Sequence, residues 1–101
     1  MRWTRARAEH ITTRSQRYPD AVDIDMEWAM EAAADPRATT SDPDPRSRTG
    51  AVRVVGYSEA AGFVVTVIAA RIDGALWGVT AWKTTGAERR TYQEASDDDA
   101  N

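Results

Sequence analysis

Residues 51–83, AVRVVGYSEAAGFVVTVIAARIDGALWGVTAWK, decide the fold of this chain. They contain three runs rich in valine, isoleucine and aromatic residues, at 51–57, 62–71 and 75–83, and such runs favour strands. Asp73-Gly74 joins the last two runs, and this pair is typical of a two-residue hairpin turn, which needs a positive φ at both positions. The sequence therefore predicts an antiparallel meander whose strands pair in chain order.

The middle run, 62–71, is apolar on both faces. Phe63 and Val65 lie on one side of the predicted strand and Val64 and Ile68 on the other, because side chains alternate along a strand. Such a strand is expected in the middle of a sheet and covered on both sides. Gly78, inside the last run, indicates a bulge or the close approach of another backbone.

Three helices are predicted around this meander. The first covers 5–17 behind Thr4 and the second covers about 25–34 behind Asp25, because both residue types are good N-caps. The spacing of Thr85 and Glu88 is that of a capping box, which opens a third, short helix over about 86–95. Residues 36–50 are rich in proline and aspartate and predict a long loop, either functional or partly disordered.

The 101 residues fit one domain. We expect an α+β fold, a three- to four-stranded antiparallel meander with two N-terminal helices and a short C-terminal helix. This domain covers 1–95, and 96–101 form an acidic tail that we expect to be disordered.

Several kinds of site are excluded by composition. The chain has no cysteine and a single histidine, His10, which excludes thiolate and multi-histidine metal sites, so we expect no metal and no cofactor. No apolar run is long enough to span a bilayer, and the N-terminal sequence has no apolar core of a secretory signal. We therefore expect a cytoplasmic protein with no membrane partner.

Charge is distributed unevenly along the chain, whose net charge is −3. Residues 2–17 hold five arginines and one acid, whereas 20–35 hold six acids and no base. A continuous helix would place on one face four residues of the first segment: Arg7, His10, Arg14 and Arg17. That face is either a phosphate-binding surface with a titratable imidazole or a solvated surface that pairs with the acids at 20–35.

Further candidate residues lie towards the C-terminus. Lys83, Arg89 and Arg90 either stabilise the negative charge of a phosphate transition state or are surface cations paired with neighbouring acids. Among the four tryptophans, Trp82 is the best candidate to stack an RNA base, since it stands beside Lys83. The alternative for all four tryptophans is packing in the core or at an interface.

Several short words of the sequence occur in a recognisable order. They are Arg2-Trp3-Thr4, Glu9-His10-Ile11, the Pro-Asp-rich loop 42–45, Gly56-Tyr57-Ser58 and, the most specific, AWKTTGAERRTY at 81–92. In this order, over 1–95, the chain resembles the BrnT-like toxins of bacterial type II toxin–antitoxin systems, which are compact relatives of the RelE-type ribonucleases. It departs from that family at Trp82, where an arginine is common, and at Ala69-Ala70, where a histidine is frequent.

The resemblance implies a toxin that cleaves RNA without a metal and stops translation, acting on RNA or the ribosome, with a cognate antitoxin as its protein partner. We expect His10 to act as acid or base, and Lys83 and Arg89 to stabilise the transition state. The expected RNA-binding residues are Arg7, Arg14, Arg17, Trp82 and Arg90. The alternative is a catalytically silent member of the same fold that acts only as a protein-binding module.

Overall fold

The computed structural model describes residues 1–99, and side chains as far as residue 95. The four strands form one antiparallel sheet in which they pair in chain order, so the predicted α+β meander is confirmed. The elements are α1 (Arg5–Thr12), a short 3₁₀ turn (Arg14–Gln16), α2 (Met26–Ala34), β1 (Thr39–Ser41), β2 (Val52–Ser58), β3 (Phe63–Ile72), β4 (Ala75–Lys83) and α3 (Gly86–Asp99).

The caps predicted at Thr4 and Asp25 and the predicted hairpin turn are present. The Thr4 hydroxyl accepts a hydrogen bond from the Arg7 N–H at 3.1 Å, which caps α1. The Asp25 carboxylate caps α2 in the same way, accepting from an N–H of its first turn. Asp73 and Gly74 have φ angles of 50° and 81°, as the predicted hairpin turn requires.

The first helix is shorter than predicted, because α1 ends at Thr12 rather than at residue 17. The hydroxyls of Thr12 and Thr13 donate to the Glu9 carbonyl oxygen at 3.1 and 2.7 Å. The Asp23 carboxylate accepts from the Ser15 N–H at 2.8 Å. Side-chain bonds of this kind compete with the helical pattern. The predicted stripe of cations therefore does not lie along one continuous helix.

Strand β1 lies inside the segment 36–50, which the sequence predicts to be loop. It pairs antiparallel with β2, Thr40 opposite Val54. The prediction is wrong here because three residues are too few to show an alternating pattern, whereas β2 offers a free edge on which they can pair. The following turn is held by Asp44, whose N–H donates to the Ala51 carbonyl oxygen at 2.7 Å.

The inner face of the sheet, which carries Val65, Val67 and Ala81, is covered by α1 and α2. Helix α2 packs closely on β2, and a Cβ atom built on Gly56 would lie 1.9 Å from the Ala32 carbonyl oxygen. The main core belongs to this layer and consists of fully buried residues: Ile11, Ile24, Ala29, Ala32, Val65, Val67 and Ala81.

The outer face of the sheet, which carries Val64, Thr66, Ile68 and Ala70, is covered over only part of its length. Tyr92 of α3 packs at one end, in a buried cluster with Val64, whereas Ile68 and Ala70 are half-buried. The expectation that β3 is covered on both sides is thus correct for its first half only. Helix α3 follows β4 directly, and the end of β4 pairs with the start of β3, so α3 reaches only that end of the face.

Gly78 lies at a bulge and is also closely approached by another part of the backbone, the two features that a glycine inside a strand indicates. The register of the β3–β4 pair shifts at this point and leaves Val79 as an extra residue. The Gly78 N–H donates to the Arg2 carbonyl oxygen at 2.7 Å, and the Arg2 N–H donates to Leu76 at 2.9 Å. A Cβ atom on Gly78 would lie 2.3–2.4 Å from three atoms of the Trp3 indole. The N-terminus therefore docks on the bulge.

The C-terminal helix is longer than predicted, since α3 continues to Asp99 rather than ending near residue 95. Residues 87–99 contain neither glycine nor proline, so no local signal stops the helix. The predicted disordered tail at 96–101 includes residues 100 and 101, which lie outside the described residues, and disorder there stays a prediction.

Candidate functional site

Two of the predicted catalytic residues share one cavity. Lys83 at the end of β4 and Arg89 on α3 line a cavity of about 310 Å³, of which Tyr92 forms a wall. The Lys83 ammonium lies 5.0 Å from the ring centroid of Phe63, within the range of a cation–π contact. The strand end and the helix thus place two cations beside aromatic side chains at one concave site.

The charge of this cavity is not neutralised by the ion pairs of the fold. Among the side chains of residues 1–95, ion pairs are made by Arg53 and Arg71, and none involves Lys83 or Arg89. In the described part of the chain, Lys83 and Arg89 are therefore not paired with neighbouring acids, which was the alternative interpretation. Two unpaired cations at a concave surface favour an anionic ligand.

A second cavity, of about 360 Å³, shares Lys83 with the first and is also lined by Arg14, Asp20 and Trp82. The Arg14 guanidinium carbon lies 5.9 Å from the Trp82 ring centroid and 5.2 Å from that of Tyr18. Tyr18 is 51% exposed and Val22, on the cavity wall, is 39% exposed. The fold thus brings together three candidate residues from distant parts of the sequence, Arg14, Trp82 and Lys83, beside exposed apolar surface.

Arg53, which contacts the Trp82 ring, is the centre of a hydrogen-bonded network. No pattern in the sequence indicates this network. The Arg53 guanidinium donates to Asp44 at 3.0 Å and to both carboxylate oxygens of Glu88 at 3.0 Å. The Thr66 hydroxyl donates to Glu88 at 2.8 Å. The Arg53 guanidinium carbon lies 5.5 Å from the Trp82 ring centroid. One arginine thereby joins β2, the turn at 44, β4 and α3.

This network makes Arg53 a structural cation. Burial lowers the pKa of Arg53, but its hydrogen bonds and charge contacts with Glu88 and Asp44 outweigh that effect and raise the pKa above its ordinary value. Because two carboxylates already neutralise it, Arg53 is not available to a phosphate. The sequence predicts that Glu88 forms a capping box with Thr85, but its carboxylate instead accepts hydrogen bonds from Arg53 and Thr66. It pairs with Arg53 rather than with the arginines beside it in sequence.

His10 and Arg17 lie apart from the Lys83 cavities. The Arg17 guanidinium donates to the His10 carbonyl oxygen and, at 3.0 Å, to the Thr13 hydroxyl, which closes the end of α1. The pKa of the exposed His10 imidazole lies below its ordinary value, because partial burial and then the charges of Arg17, Arg14 and Arg7 disfavour the imidazolium. His10 lines neither cavity that contains Lys83.

Arg7 and Arg90 also lie outside the two Lys83 cavities. Arg7 donates to the Val79 carbonyl oxygen at 3.4 Å and lines a third cavity, of about 500 Å³, together with Arg2 and Trp77. Arg90 is exposed on α3 and lines none of these three cavities. The sequence patterns predict no binding role for Arg2 and include Trp77 only among the four tryptophans, although the bulge signal at Gly78 points to this place.

Among the side chains of residues 1–95, no three histidine, aspartate or glutamate residues are grouped as the ligands of a metal ion would be. Over the same residues, no helix combines the length and the apolar character that crossing a bilayer demands.

Comparison of the sequence with models of known protein families and with curated proteins gives no match. The likeness to BrnT-like toxins therefore rests on the words of the sequence and on the order of the elements. A fold by itself does not assign an activity, so the function has to be inferred from the chemistry of the cavities.

Proposed function

We propose that this chain is an RNA-directed toxin of a type II toxin–antitoxin pair, a cytoplasmic ribonuclease that needs no metal and inhibits translation. The observation that carries the proposal is the cavity that the exposed cations Lys83 and Arg89 both line, without an acidic partner among the described side chains. The closing word of the sequence, 81–92, which is the most specific part of the family resemblance, contains both residues.

The chemistry proposed for this cavity is cleavage by the RNA itself. The 2′-OH attacks the adjacent phosphorus, the bond from phosphorus to the 5′ oxygen breaks, and a 2′,3′-cyclic phosphate and a 5′-OH are formed. Extra negative charge develops on the non-bridging oxygens, which Lys83 and Arg89 stabilise by their positive charges. Since His10 lies outside this cavity, water takes the 2′-OH proton and supplies the proton of the leaving oxygen.

Replacing Lys83 or Arg89 by alanine is expected to lower the rate of RNA cleavage by about 10²-fold or more, because each removes a charge that stabilises the transition state. The measurement is single-turnover cleavage of a labelled single-stranded RNA, with the cyclic phosphate identified in the product. The rate of the wild-type protein is expected to stay unchanged in EDTA.

Arg48→Ala is the matched control for this experiment, because Arg48 is an exposed loop cation that lines neither Lys83 cavity. Its rate should equal that of the wild type. Equal rates for Lys83→Ala, Arg89→Ala and Arg48→Ala would remove both residues from the site, and loss of cleavage in EDTA with recovery in magnesium would contradict the metal-free reaction.

A second candidate function is that of a catalytically silent module that only binds a protein. The observation that favours it is the cavity of Arg14, Trp82 and Lys83, which is bordered by exposed Tyr18 and Val22. Aromatic and arginine side chains beside apolar surface are enriched in protein interfaces. The partner in either case is a cognate antitoxin with an acidic, amphipathic segment, whose charge would speed association and select the partner.

Arg14→Glu/Lys83→Glu is expected to abolish capture of the protein encoded beside this gene, since it reverses two charges at the cavity. The comparison is Arg48→Glu, which should bind as the wild type does. Growth separates the two candidates: a toxin stops growth when induced alone and is relieved by the neighbouring gene, whereas a silent module has no effect on growth. Binding retained by the double variant would place the interface elsewhere.

A further inference from the structure

The bulge in β4 places two tryptophans on the same face of the sheet. Trp77 and Trp82 are five residues apart, and in a regular strand an odd separation puts side chains on opposite faces. Trp82 pairs with Thr66 and Trp77 pairs with Ala70, because Val79 is extra in the register. Thr66 and Ala70 are an even number of residues apart in β3, so both tryptophans belong to the outer face.

The outer face is open around Trp77. Helix α3 buries Thr66 completely, but Ile68 and Ala70 are half-buried and Ile72 is 51% exposed. The cavity of about 500 Å³ lies on this open part, with Trp77 in its wall. A half-buried tryptophan at an open concave surface is able to offer its ring to a planar ligand.

The rim of this cavity carries two arginines and, at a separate position, one aspartate. The Arg2 guanidinium carbon lies 5.7 Å from the Trp77 ring centroid, and Arg7 lines the cavity while its guanidinium donates to Val79 on the edge of β4. Asp73, at the hairpin turn, is also part of the lining. A phosphate is attracted to the two arginines and repelled by Asp73, so a ligand with an anionic and a planar part has one favoured orientation.

We propose that this cavity binds one nucleotide of a single-stranded RNA, with its base against Trp77 and its phosphate at Arg2 and Arg7. The inference rests on the proposed function and adds a second binding subsite to it. Four residues of β3 separate the partners of Trp77 and Trp82, which corresponds to about 13 Å. The bound strand therefore leads along the outer face of β4 towards Trp82, which lines a cavity that it shares with Lys83. A base paired in a duplex cannot stack on a side chain, so the ligand is single-stranded.

Trp77→Ala is expected to weaken binding of a short, fluorescein-labelled single-stranded RNA of mixed sequence by about tenfold or more, since it removes a stacking surface. Trp77→Phe keeps an aromatic ring and should retain most of the affinity. Arg7→Gln should weaken binding and lower the slope of log affinity against log salt by about 0.7, the amount for one phosphate contact on a single strand.

The matched control is Arg5→Gln, because Arg5 lies on the same helix as Arg7 and carries the same charge but does not line the cavity. It should leave both affinity and salt slope nearly unchanged. Circular dichroism and a thermal melt of Trp77→Ala, with Trp77→Phe beside it, show that a loss of affinity does not come from unfolding.

The outcomes separate this subsite from the Lys83 site. Unchanged affinity in folded Trp77→Ala, with weakened binding in Lys83→Ala, overturns the subsite and leaves the proposed function in place. Weakened binding in Trp77→Ala but not in Lys83→Ala supports the subsite and counts against the cavity of the proposed function. Equal affinity for the complementary duplex, or tighter binding of a glutamate-rich peptide than of RNA, overturns the subsite.

Discussion

Replacing Arg53 by methionine is expected to lower the free energy of unfolding by about 3 kcal/mol or more. The Arg53 side chain is 15% exposed and that of its partner Asp44 is 5% exposed, so the substitution leaves a buried carboxylate without its cation. Glu88 loses its ion pair at the same time. The measurement is urea unfolding followed by circular dichroism, and Arg53→Met/Asp44→Asn should recover part of the loss because it removes the unpaired charge.

The matched control is Arg71→Met, which breaks a different ion pair of the same fold. Arg71 and Asp42 are 52% and 46% exposed, and an ion pair of such exposure contributes about 1 kcal/mol or less. A loss in Arg53→Met no larger than that in Arg71→Met would show that the network does not hold α3 and the turn at Asp44 to the sheet.

Gly56→Ala is expected to lower the free energy of unfolding by about 3 kcal/mol or more, at the upper end of what overpacking costs. The added Cβ atom would lie 1.9 Å from the Ala32 carbonyl oxygen and 2.8 Å from the carbonyl carbon. Both atoms belong to the backbone of α2, so relief requires movement of the whole helix away from β2. The measurement is again urea unfolding, together with the thermal midpoint.

Gly62→Ala is the matched control for Gly56→Ala, because it introduces backbone strain without a packing clash. Gly62 has a φ angle of +78°, and a Cβ atom there meets no atom within 4 Å, so only the left-handed conformation is penalised, by about 1 kcal/mol. Equal losses at both positions would mean that α2 moves freely on β2 and that the close contact does not determine stability.

The position of α2 also bears on the Lys83 cavity. Asp35, which caps the end of α2, accepts hydrogen bonds from the Tyr57 N–H at 2.8 Å and from the Tyr92 hydroxyl. Burial raises the pKa of Asp35, but these bonds outweigh it and the pKa lies below its ordinary value. Tyr92 forms a wall of the cavity of Lys83 and Arg89. A displaced α2 in Gly56→Ala would therefore change that cavity as well as the stability.

Some features of this protein are determined by a few neighbouring residues, and these could be predicted from the sequence. The turn at Asp73-Gly74, the caps Thr4 and Asp25, and the pairing order of β2, β3 and β4 all belong to this group. A turn or a cap depends on the conformation of three or four consecutive residues. The energies of a turn and of a cap are largely independent of the rest of the chain. The local sequence pattern is therefore sufficient to predict them.

The candidate site is determined by contacts between distant parts of the chain. Arg53 meets Glu88 across 35 positions, and nothing in the sequence near either residue indicates the pair. The spacing predicts that α1 continues to residue 17, whereas Thr13 binds the Glu9 carbonyl oxygen at its end and Asp23 binds the Ser15 N–H just beyond it. Arg7, Arg14 and Arg17 are consequently divided among different places, although their spacing suggests one face.

The sequence by itself determined that this chain forms an antiparallel meander with helices and that it carries cations near its C-terminal strand. Only the tertiary structure decided which cations remain unpaired and which tryptophan faces an open surface. Gly78 predicted a bulge, but its effect on Trp77 depends on the register with β3. The burial of a side chain and the pairing of its charge depend on all of its neighbours in space. Those neighbours come from every part of the chain.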